Sequence, residues 1–286
     1  MAEITLVDVA PRDGLQNEKR MIPTADKVKL IDLLSACGFR RIEAASFVSP
    51  KWVPQMADGA EVFAGLTRRA GTRYAALTPN LRGYDAAIAA GVDEVAVFAA
   101  ASESFSQKNI NCSIAESFDR FQPILDAGRR DGIPVRGYIS CVVDCPYEGA
   151  VNPEVVGDIA AQLMDKGCYE VSLGDTTGRG VPATVSAMLE QVVKCVDSSV
   201  LAGHYHDTGG RACDNILTSL EFGLAVYDTA VGGLGGCPYA PGAKGNVATD
   251  RVVKTLSTAG HETGLDPEAL RQATEFALTL RGASGG

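Results

Sequence analysis

The sequence of 286 residues contains no apolar run that approaches the roughly 18 residues needed to cross a membrane. Its first residues lack the basic stretch and hydrophobic core of a secretory signal, and they are not an Arg-rich transit sequence. Basic residues are also in deficit, because 26 Lys and Arg oppose 35 Asp and Glu, a net charge of −9. That balance disfavours a nucleic-acid backbone as partner. We therefore expect a cytoplasmic protein that binds neither nucleic acid nor membrane.

Cysteine pairs with disulfide or zinc-site spacing are also missing. The eight cysteines are scattered, and without a secretory signal we interpret them as reduced thiols. Cys141 and Cys145 have no second pair at metal-ligand spacing, so we predict that both are buried thiols. The composition, 46% hydrophobic and 21% charged, is that of a globular protein, and the length suits one large domain.

What the sequence does contain is a regular alternation of short β-branched runs with segments of helical periodicity. Helix starts are indicated by the capping-box pair Ser113 and Glu116 and by Asn152 before Pro153. The runs predicted as strands are Ile4–Val9, Arg41–Ala45, Arg73–Leu77, Glu94–Ala99, Pro134–Ile139, Glu170–Leu173, Val200–His204 and Val226–Val231. Eight such strands close a (β/α)8 barrel. We predict one domain, residues 1–286, with a frayed end at 282–286. The rival, an open doubly wound sheet, would have a G-x-G-x-x-G turn after the first strand, which is absent.

Polar residues follow several predicted strands, where the chemistry of a (β/α)8 barrel is located. Two of only three histidines form His204-x-His206. Residues i and i+2 of an extended segment point to the same side, so both imidazoles can face one ion. Asp13 adds a carboxylate and Asn246 an amide oxygen, a set that favours Mg²⁺ or Mn²⁺ over structural Zn²⁺. We interpret Asp207 as a helix cap instead.

Three further segments carry candidate groups. Cys237 lies in a glycine- and proline-rich loop, residues 232–246, that can move or approach a ligand closely. Its thiol is a candidate acid, base or nucleophile, and the alternative is an incidental loop cysteine. Arg12 either stabilises an oxyanion or forms a surface ion pair. Lys108 and Asn109 either bind an anionic tail or form a solvated turn.

With these residues identified, the sequence resembles the 3-hydroxy-3-methylglutaryl-CoA lyases, a family of the DRE-TIM metallolyase superfamily, over nearly its whole length. The matching segments are Pro11–Lys19, Ser46–Met56, Lys108–Ile114, Gly167–Thr176, His204–Thr208 and the Cys237 loop. That loop is the most specific segment, because the Claisen synthases of the superfamily, although similar around strand 1 and the histidine pair, lack its Cys-Pro.

The resemblance implies a (β/α)8 barrel with the site at its C-terminal mouth, and cleavage of 3-hydroxy-3-methylglutaryl-CoA to acetyl-CoA and acetoacetate. That step is shared by leucine degradation and ketogenesis. The implied residues are Asp13, His204, His206 and Asn246 as metal ligands, Arg12, Cys237, Glu43 and Asp175 around the chemistry, and Arg12, Gln16 and Asn109 against the substrate. Asp175 would handle the hydroxyl proton, and Cys237 would protonate the enolate carbon. Arg12 would stabilise the enolate oxygen, with Glu43 orienting Arg12 or a ligand. We expect a homodimer.

Three alternatives stay open at this point. Gly209 occupies a position where the family usually has Tyr, which motivates a lyase for a 3-hydroxyglutaryl-CoA with a longer branch. A Claisen-type acyl-CoA synthase acting on a 2-oxo acid is a second alternative, and Cys237 argues against it. A non-catalytic barrel that binds metal or CoA is the third, but it would not need Arg12 and Cys237 beside the histidine pair. The C-terminus lacks the late cysteine of some members, so we expect no regulatory disulfide of that kind.

Overall fold

The β-branched runs of the sequence form a closed parallel barrel, and the periodic segments between them form the surrounding helices. The computed structural model describes residues 4–235 and 245–281. Its strands are β1 (Thr5–Asp8), β2 (Arg41–Ser46), β3 (Arg73–Leu77), β4 (Glu94–Ala100), β5 (Val135–Ser140), β6 (Asp144–Cys145), β7 (Gly149–Ala150), β8 (Glu170–Asp175), β9 (Leu201–Tyr205) and β10 (Val226–Thr229). Its α-helices are α1 (Thr24–Ala36), α2 (Gly59–Gly65), α3 (Leu81–Ala89), α4 (Glu103–Ile110), α5 (Ile114–Asp131), α6 (Pro153–Lys166), α7 (Pro182–Cys195), α8 (Ala212–Glu221), α9 (Thr249–Thr258) and α10 (Pro267–Leu280). The barrel order is β1, β2, β3, β4, β5, β8, β9 and β10, and β10 closes the ring on β1.

The (β/α)8 prediction is confirmed, and every predicted strand forms within two residues of its expected limits. The last strand, β10, stops at Thr229, because the chain then enters a tight turn in which Gly232 has a φ of 66°. The antiparallel hairpin of β6 and β7 is not among the sequence predictions. Its strands have two residues each, too few to show a period-two pattern.

The helix ends follow the predicted capping signals. The Ser113 hydroxyl accepts a hydrogen bond from the Glu116 N–H (3.1 Å), and the Glu116 carboxylate accepts one from the Ser113 N–H (2.8 Å). The Asn152 side chain accepts a hydrogen bond from the Glu154 N–H at the start of α6 (3.1 Å). The Asp207 carboxylate accepts a long one (3.4 Å) from the N–H of Ala212, the first residue of α8, as its interpretation as a cap predicts.

Two features that the sequence lacks, long apolar runs and paired cysteines, are also absent from the described residues. Within the described residues, no helix combines the length and the apolar character that a bilayer span needs. The seven described cysteines are free thiols; six are buried and Cys195 is exposed. Cys141 and Cys145 are 0% and 1% exposed, which confirms the prediction that they are buried. Cys237 and the end predicted to fray, residues 282–286, lie outside the described residues.

Buried charged side chains cross the interior of the barrel, where most barrels carry branched apolar residues. Arg41 donates two hydrogen bonds to the Glu170 carboxylate (2.8 and 3.0 Å), and Arg136 donates one to the same carboxylate (2.7 Å). Arg136 Nη1 also lies 2.8 Å from Asp228 Oδ1. Since removal of one partner would leave a buried charge unpaired, this chain of alternating charges restricts how the strands can align.

Asp8, at the end of β1, connects the segments that carry the polar mouth of the barrel. Its buried carboxylate accepts hydrogen bonds from the Ala10 N–H (2.9 Å), the Val231 N–H (3.0 Å) and the Thr249 hydroxyl (3.1 Å). Burial raises the pKa of Asp8 to about 7. The turn after β1 and the segments on both sides of residues 236–244 are therefore tied to one carboxylate.

Candidate active site

The C-terminal ends of β1, β2 and β9 bring most of the predicted site residues together. After β1, the chain forms a single π-helical turn, Ala10–Gly14, with Pro11 in its first turn. A Cβ atom on Gly14 would lie 2.8 Å from Leu234 Cβ, so the close approach of this turn to the segment after β10 requires glycine. The side chains that meet at this mouth are those of Arg12, Asp13, Gln16, Glu43, His204, His206 and Asn246.

The two histidines face one another as the i, i+2 spacing predicts. Their Nε2 atoms are 3.1 Å apart, and His206 Nε2 lies 3.9 Å from Asp13 Oδ2. Among the residues that the structure describes, these three form the group whose ligand atoms converge, all within 4.8 Å of one another. Asn246 forms a backbone bridge with His206 and donates from its amide to Asp13 Oδ2 (2.7 Å). Two imidazole nitrogens, a carboxylate and an adjacent amide at one point fit a divalent cation.

Two of the three converging groups have pKa values that favour metal binding at neutral pH, whereas Asp228 and Asp13 raise the pKa of His204 against the effect of burial. Burial alone would raise the pKa of Asp13, but Arg12 and the two histidines lower it to about 2. Burial lowers the pKa of His206 to about 4, and the neighbouring His204 acts in the same direction. Asp13 is therefore ionised and His206 neutral, the forms in which these residues bind a metal.

Arg12 forms a buried ion pair, and the surface ion pair considered from the sequence is not what the structure contains. The residue is 6% exposed. Its Nε donates to Glu43 Oε2 (2.7 Å), its Nη2 lies 2.7 Å from the same oxygen, and its Nη1 donates to Asp13 Oδ1 (2.7 Å). A guanidinium carries five N–H groups, so these contacts leave two for a substrate oxygen.

Glu43 and Gln16 support the Arg12–Asp13 turn from two sides. Glu43 is 1% exposed, and its Oε2 holds Arg12, whereas its Oε1 is buried without a partner in the described part of the chain. This contact agrees with the predicted role of Glu43 in orienting Arg12. Gln16 donates from its amide to Asp13 Oδ1 (3.2 Å), so it lies beside the candidate ligand.

The side chain of Asp175 points into the loop that follows β8. Its buried carboxylate accepts hydrogen bonds from the Gly178 N–H (3.0 Å), the Gly180 N–H (2.8 Å) and the Thr177 hydroxyl (3.2 Å). Its backbone carbonyl accepts a hydrogen bond from the His206 N–H (3.2 Å). The residue therefore supports the backbone of His206, and its predicted part in proton transfer stays a prediction.

Lys108 and Asn109 lie in the last turn of α4, so the solvated turn considered from the sequence is replaced by helix. Lys108 Nζ lies 3.8 Å from the centre of the Tyr147 ring. Asn109 is exposed, and in the described residues no contact joins it to the histidine pair. Cys237, the remaining candidate, lies outside the described residues.

Sequence reasoning missed Asp228, which lies behind the histidine pair. Asp228 Oδ2 is 3.2 Å from His204 Nδ1 and accepts a hydrogen bond from the Ser172 hydroxyl (2.7 Å). A signal was present, because a charged residue in the middle of a buried β-branched run requires a buried partner. The same signal marks Arg136 in β5, and Glu170 is a charged residue at the start of the run that forms β8.

Known proteins are similar to the chain along nearly its whole length. The model of a family described as HMGL-like matches residues 3–277. A Pseudomonas aeruginosa protein named 3-hydroxy-3-isohexenylglutaryl-CoA/hydroxy-methylglutaryl-CoA lyase is 55% identical over 99% of this chain and 95% of its own. The crystal structure of an HMG-CoA lyase from Brucella melitensis has 59% identity and a TM-score of 0.97, covering 98% of this chain and 99% of that one. An Acinetobacter baumannii HMG-CoA lyase, solved with coenzyme A and 3-methylmalate, has 36% identity and a TM-score of 0.92, covering 97% and 91%.

Replacing His206 with Ala removes one of the converging nitrogens and is expected to weaken Mn²⁺ binding at least 100-fold, beyond the ~10–100-fold cost of losing a supporting residue. Calorimetric titration of the purified protein with Mn²⁺ measures this directly. His261→Ala is the matched control, because the third histidine follows α9, away from the cluster. A His206→Ala protein that keeps its Mn²⁺ affinity within a few-fold would exclude His206 as a ligand.

Proposed function

The chain belongs to the HMGL-like family, and on that premise we propose that it is a carbon–carbon lyase that cleaves 3-hydroxy-3-methylglutaryl-CoA to acetyl-CoA and acetoacetate. The observation that carries the proposal is the buried Arg12 guanidinium beside the Asp13–His204–His206 cluster. A retro-Claisen reaction needs positive charge at two oxygens, the hydroxyl that loses its proton and the thioester carbonyl that becomes an enolate. A cation site and a guanidinium, next to each other, meet both needs.

For the cation we propose Mg²⁺ or Mn²⁺, held by Asp13, His204, His206 and Asn246. The converging group supports a divalent ion, because it combines a carboxylate with two imidazole nitrogens. The Asn246 amide lies beside Asp13, to which its nitrogen donates a hydrogen bond, and its oxygen is the atom that would bind the ion. When bound, the ion would supply positive charge at the substrate hydroxyl and lower the cost of its deprotonation.

The reaction balances without an added reagent. The tertiary hydroxyl loses its proton, its oxygen forms a carbonyl with C3, and the C2–C3 bond breaks. The electron pair of that bond moves onto the thioester as an enolate, and C2 then gains a proton to give acetyl-CoA. The two N–H groups of Arg12 that its contacts with Glu43 and Asp13 leave over are suited to the enolate oxygen. The guanidinium stays protonated, because Glu43 and Asp13 raise the pKa of Arg12 against the effect of burial.

Proton transfer is assigned to two residues. Cys237 would protonate the enolate carbon, for which a thiol is a suitable acid. Asp175 would accept the hydroxyl proton, and to do so it must exchange one of its loop hydrogen bonds for the substrate. We propose substrate contacts for Gln16, because it already lies against Asp13, and for Asn109 on α4.

A longer-branched substrate is the second candidate, because the name of the Pseudomonas aeruginosa relative includes 3-hydroxy-3-isohexenylglutaryl-CoA. Gly209 lies against the loop of Asp175: its N–H donates to the Gly178 carbonyl (2.9 Å), and a Cβ there would lie 2.8 Å from that oxygen. A larger residue at 209 would therefore displace this loop. Steady-state rates on the two thioesters compare the candidates.

We also propose a homodimer in the cytoplasm. The seven free thiols of the described residues are consistent with a reducing compartment. Light scattering of the purified protein tests the assembly, and a mass near twice that of the 29.9 kDa chain is expected.

The proposed function is tested by incubating the purified protein with Mg²⁺ and 3-hydroxy-3-methylglutaryl-CoA. We expect acetoacetate and acetyl-CoA in equal amounts, with no product after chelation of the metal. Absence of acetoacetate in the presence of metal would overturn the proposal. Release of free CoA from acetyl-CoA and a 2-oxo acid would indicate the synthase instead.

Replacing Arg12 with Gln removes the guanidinium from the enolate oxygen and is expected to lower kcat by ~10²–10³, the usual cost of one oxyanion donor. Calorimetry should find Mn²⁺ affinity largely unchanged. Arg179→Gln is the control, because Arg179 is 66% exposed at the same rim and pairs with Asp144. If Arg12→Gln keeps kcat within a few-fold of wild type, Arg12 is not the oxyanion donor.

Replacing Cys237 with Ser keeps the size but supplies a much weaker acid, so a large fall in kcat with little change in KM is expected. Cys195→Ser, at the exposed end of α7, should behave as wild type. Alkylation of the Cys195→Ser protein should abolish turnover, and bound substrate should slow that loss. Full activity of Cys237→Ser would show that the Cys237 thiol takes no part in the reaction.

A further inference from the structure

We propose that Asp228 is a positioning residue of the metal centre, which acts through His204, and that Arg136 holds Asp228 in place for this role. The inference rests on the proposed metal site. It assigns a role to a carboxylate that the sequence motifs do not include.

Asp228 is placed next to His204 by the strand register, because the two residues are paired across β10 and β9. Asp228 Oδ2 lies 3.2 Å from His204 Nδ1 and accepts a second hydrogen bond from the Ser172 hydroxyl (2.7 Å). A carboxylate can only accept, so Nδ1 must donate its proton. In the neutral ring, Nε2 of His204 then carries the lone pair, and this is the atom that faces His206 Nε2 at 3.1 Å. Asp228 thus selects the tautomer of His204 that can bind a cation.

His204 and His206 differ in the contacts that hold their rings in place. His206 Nδ1 is buried and has no hydrogen-bond partner among the described residues. The backbone of His206 is held by the Asp175 carbonyl and by its bridge to Asn246. His204 is held through its ring, by Asp228 behind it and by the edge-to-face contact with Tyr138 (6.2 Å between centroids). Ring orientation at the centre therefore depends on Asp228 more than on any other described side chain.

Arg136 fixes the other side of the carboxylate. Its Nη1 lies 2.8 Å from Asp228 Oδ1, and the arginine is 1% exposed. Its Nε donates to Glu170 (2.7 Å), which in turn accepts two hydrogen bonds from Arg41. The ion pair at Oδ1 and the Ser172 hydrogen bond at Oδ2 together restrain the Asp228 carboxylate beside His204. The charge chain of the barrel interior therefore ends at a candidate metal ligand.

A purely structural role for Asp228 makes a different prediction. If Asp228 only neutralised Arg136, its loss would lower the stability of the barrel but leave the metal affinity of the folded protein unchanged. Metal affinity, measured without substrate, therefore separates the two roles.

The test is calorimetric titration of Asp228→Asn with Mn²⁺, after circular dichroism has confirmed the fold. We expect ~10–100-fold weaker binding than wild type, the usual cost of losing a supporting partner of a metal-binding histidine. The turnover of Asp228→Asn should be below that of wild type at low Mn²⁺ and should rise toward it as the Mn²⁺ concentration is raised. KM for the thioester at saturating Mn²⁺ should stay near wild type. Glu94→Gln is the matched control, because Glu94 is also a buried barrel carboxylate (1% exposed) but does not touch a ligand.

Each outcome decides the inference. Folded Asp228→Asn that binds Mn²⁺ within threefold of wild type would overturn it, while the proposed function would stand on the wild-type assay. If wild type itself binds no Mn²⁺, the metal site and this inference are both wrong. If Asp228→Asn does not fold, Ser172→Ala replaces it, since this variant keeps Asp228 and removes one hydrogen bond to Oδ2. Weaker Mn²⁺ binding by Ser172→Ala supports the role, and unchanged binding contradicts it.

Discussion

A buried charge is tolerated in a protein only when an opposite charge or a set of hydrogen bonds accompanies it, and the interior of this barrel is arranged around that constraint. Arg136 lies between Glu170 and Asp228, and Arg12 lies between Glu43 and Asp13. Each arginine joins residues from different strands or turns. The pairs consequently restrict the relative positions of β1, β2, β5, β8 and β10.

The parts of the site differ in how the chain supports them. His204 lies on a barrel strand with partners in the interior, and Glu43 holds Arg12 from another strand. His206 and Asn246 lie just outside the regular strands and are held by backbone contacts. Cys237 lies outside the described residues, in the segment between β10 and α9 that also contains Asn246. His204 and Glu43 are therefore supported by interior side-chain partners, whereas His206 and Asn246 are supported by backbone contacts.

The barrel could be predicted from the sequence because its signals are local. β-Branched runs, the Ser113–Glu116 capping box and the Asn152-Pro153 start each lie within a few residues, and the structure confirms all of them. The convergence of Arg12, Asp13 and the histidine pair followed from their places at strand ends. This prediction depends on the barrel topology but not on which residues of neighbouring strands are paired.

What could not be predicted depends on register and on side-chain direction. The contact of Asp228 with His204 exists because β10 and β9 align these residues, and nothing local to either strand specifies that alignment. Asp175 illustrates the second limit. Its position at the end of β8 predicts a place in the site, but its carboxylate accepts hydrogen bonds from the N–H groups of Gly178 and Gly180 and so points into the loop. Asn109 is a third example. The sequence allows a solvated turn at this position after β4, but the structure has helix α4 there.

The charges at the mouth of the barrel explain why a cation belongs there. Inside the barrel, Arg136 is paired with Asp228 and Arg41 with Glu170, each at 2.8 Å. Arg12, by contrast, faces two carboxylates, Glu43 and Asp13. With both carboxylates ionised and both histidines neutral, the form in which imidazoles bind a metal, this cluster carries one negative charge. An anionic acyl-CoA would be repelled by that charge, and the chain as a whole, at −9, adds to the repulsion. A bound divalent ion reverses the sign of the mouth from one negative to one positive charge. Asp13 thus has two parts in this arrangement, since it helps to hold Arg12 in place and is one of the groups that would bind the ion.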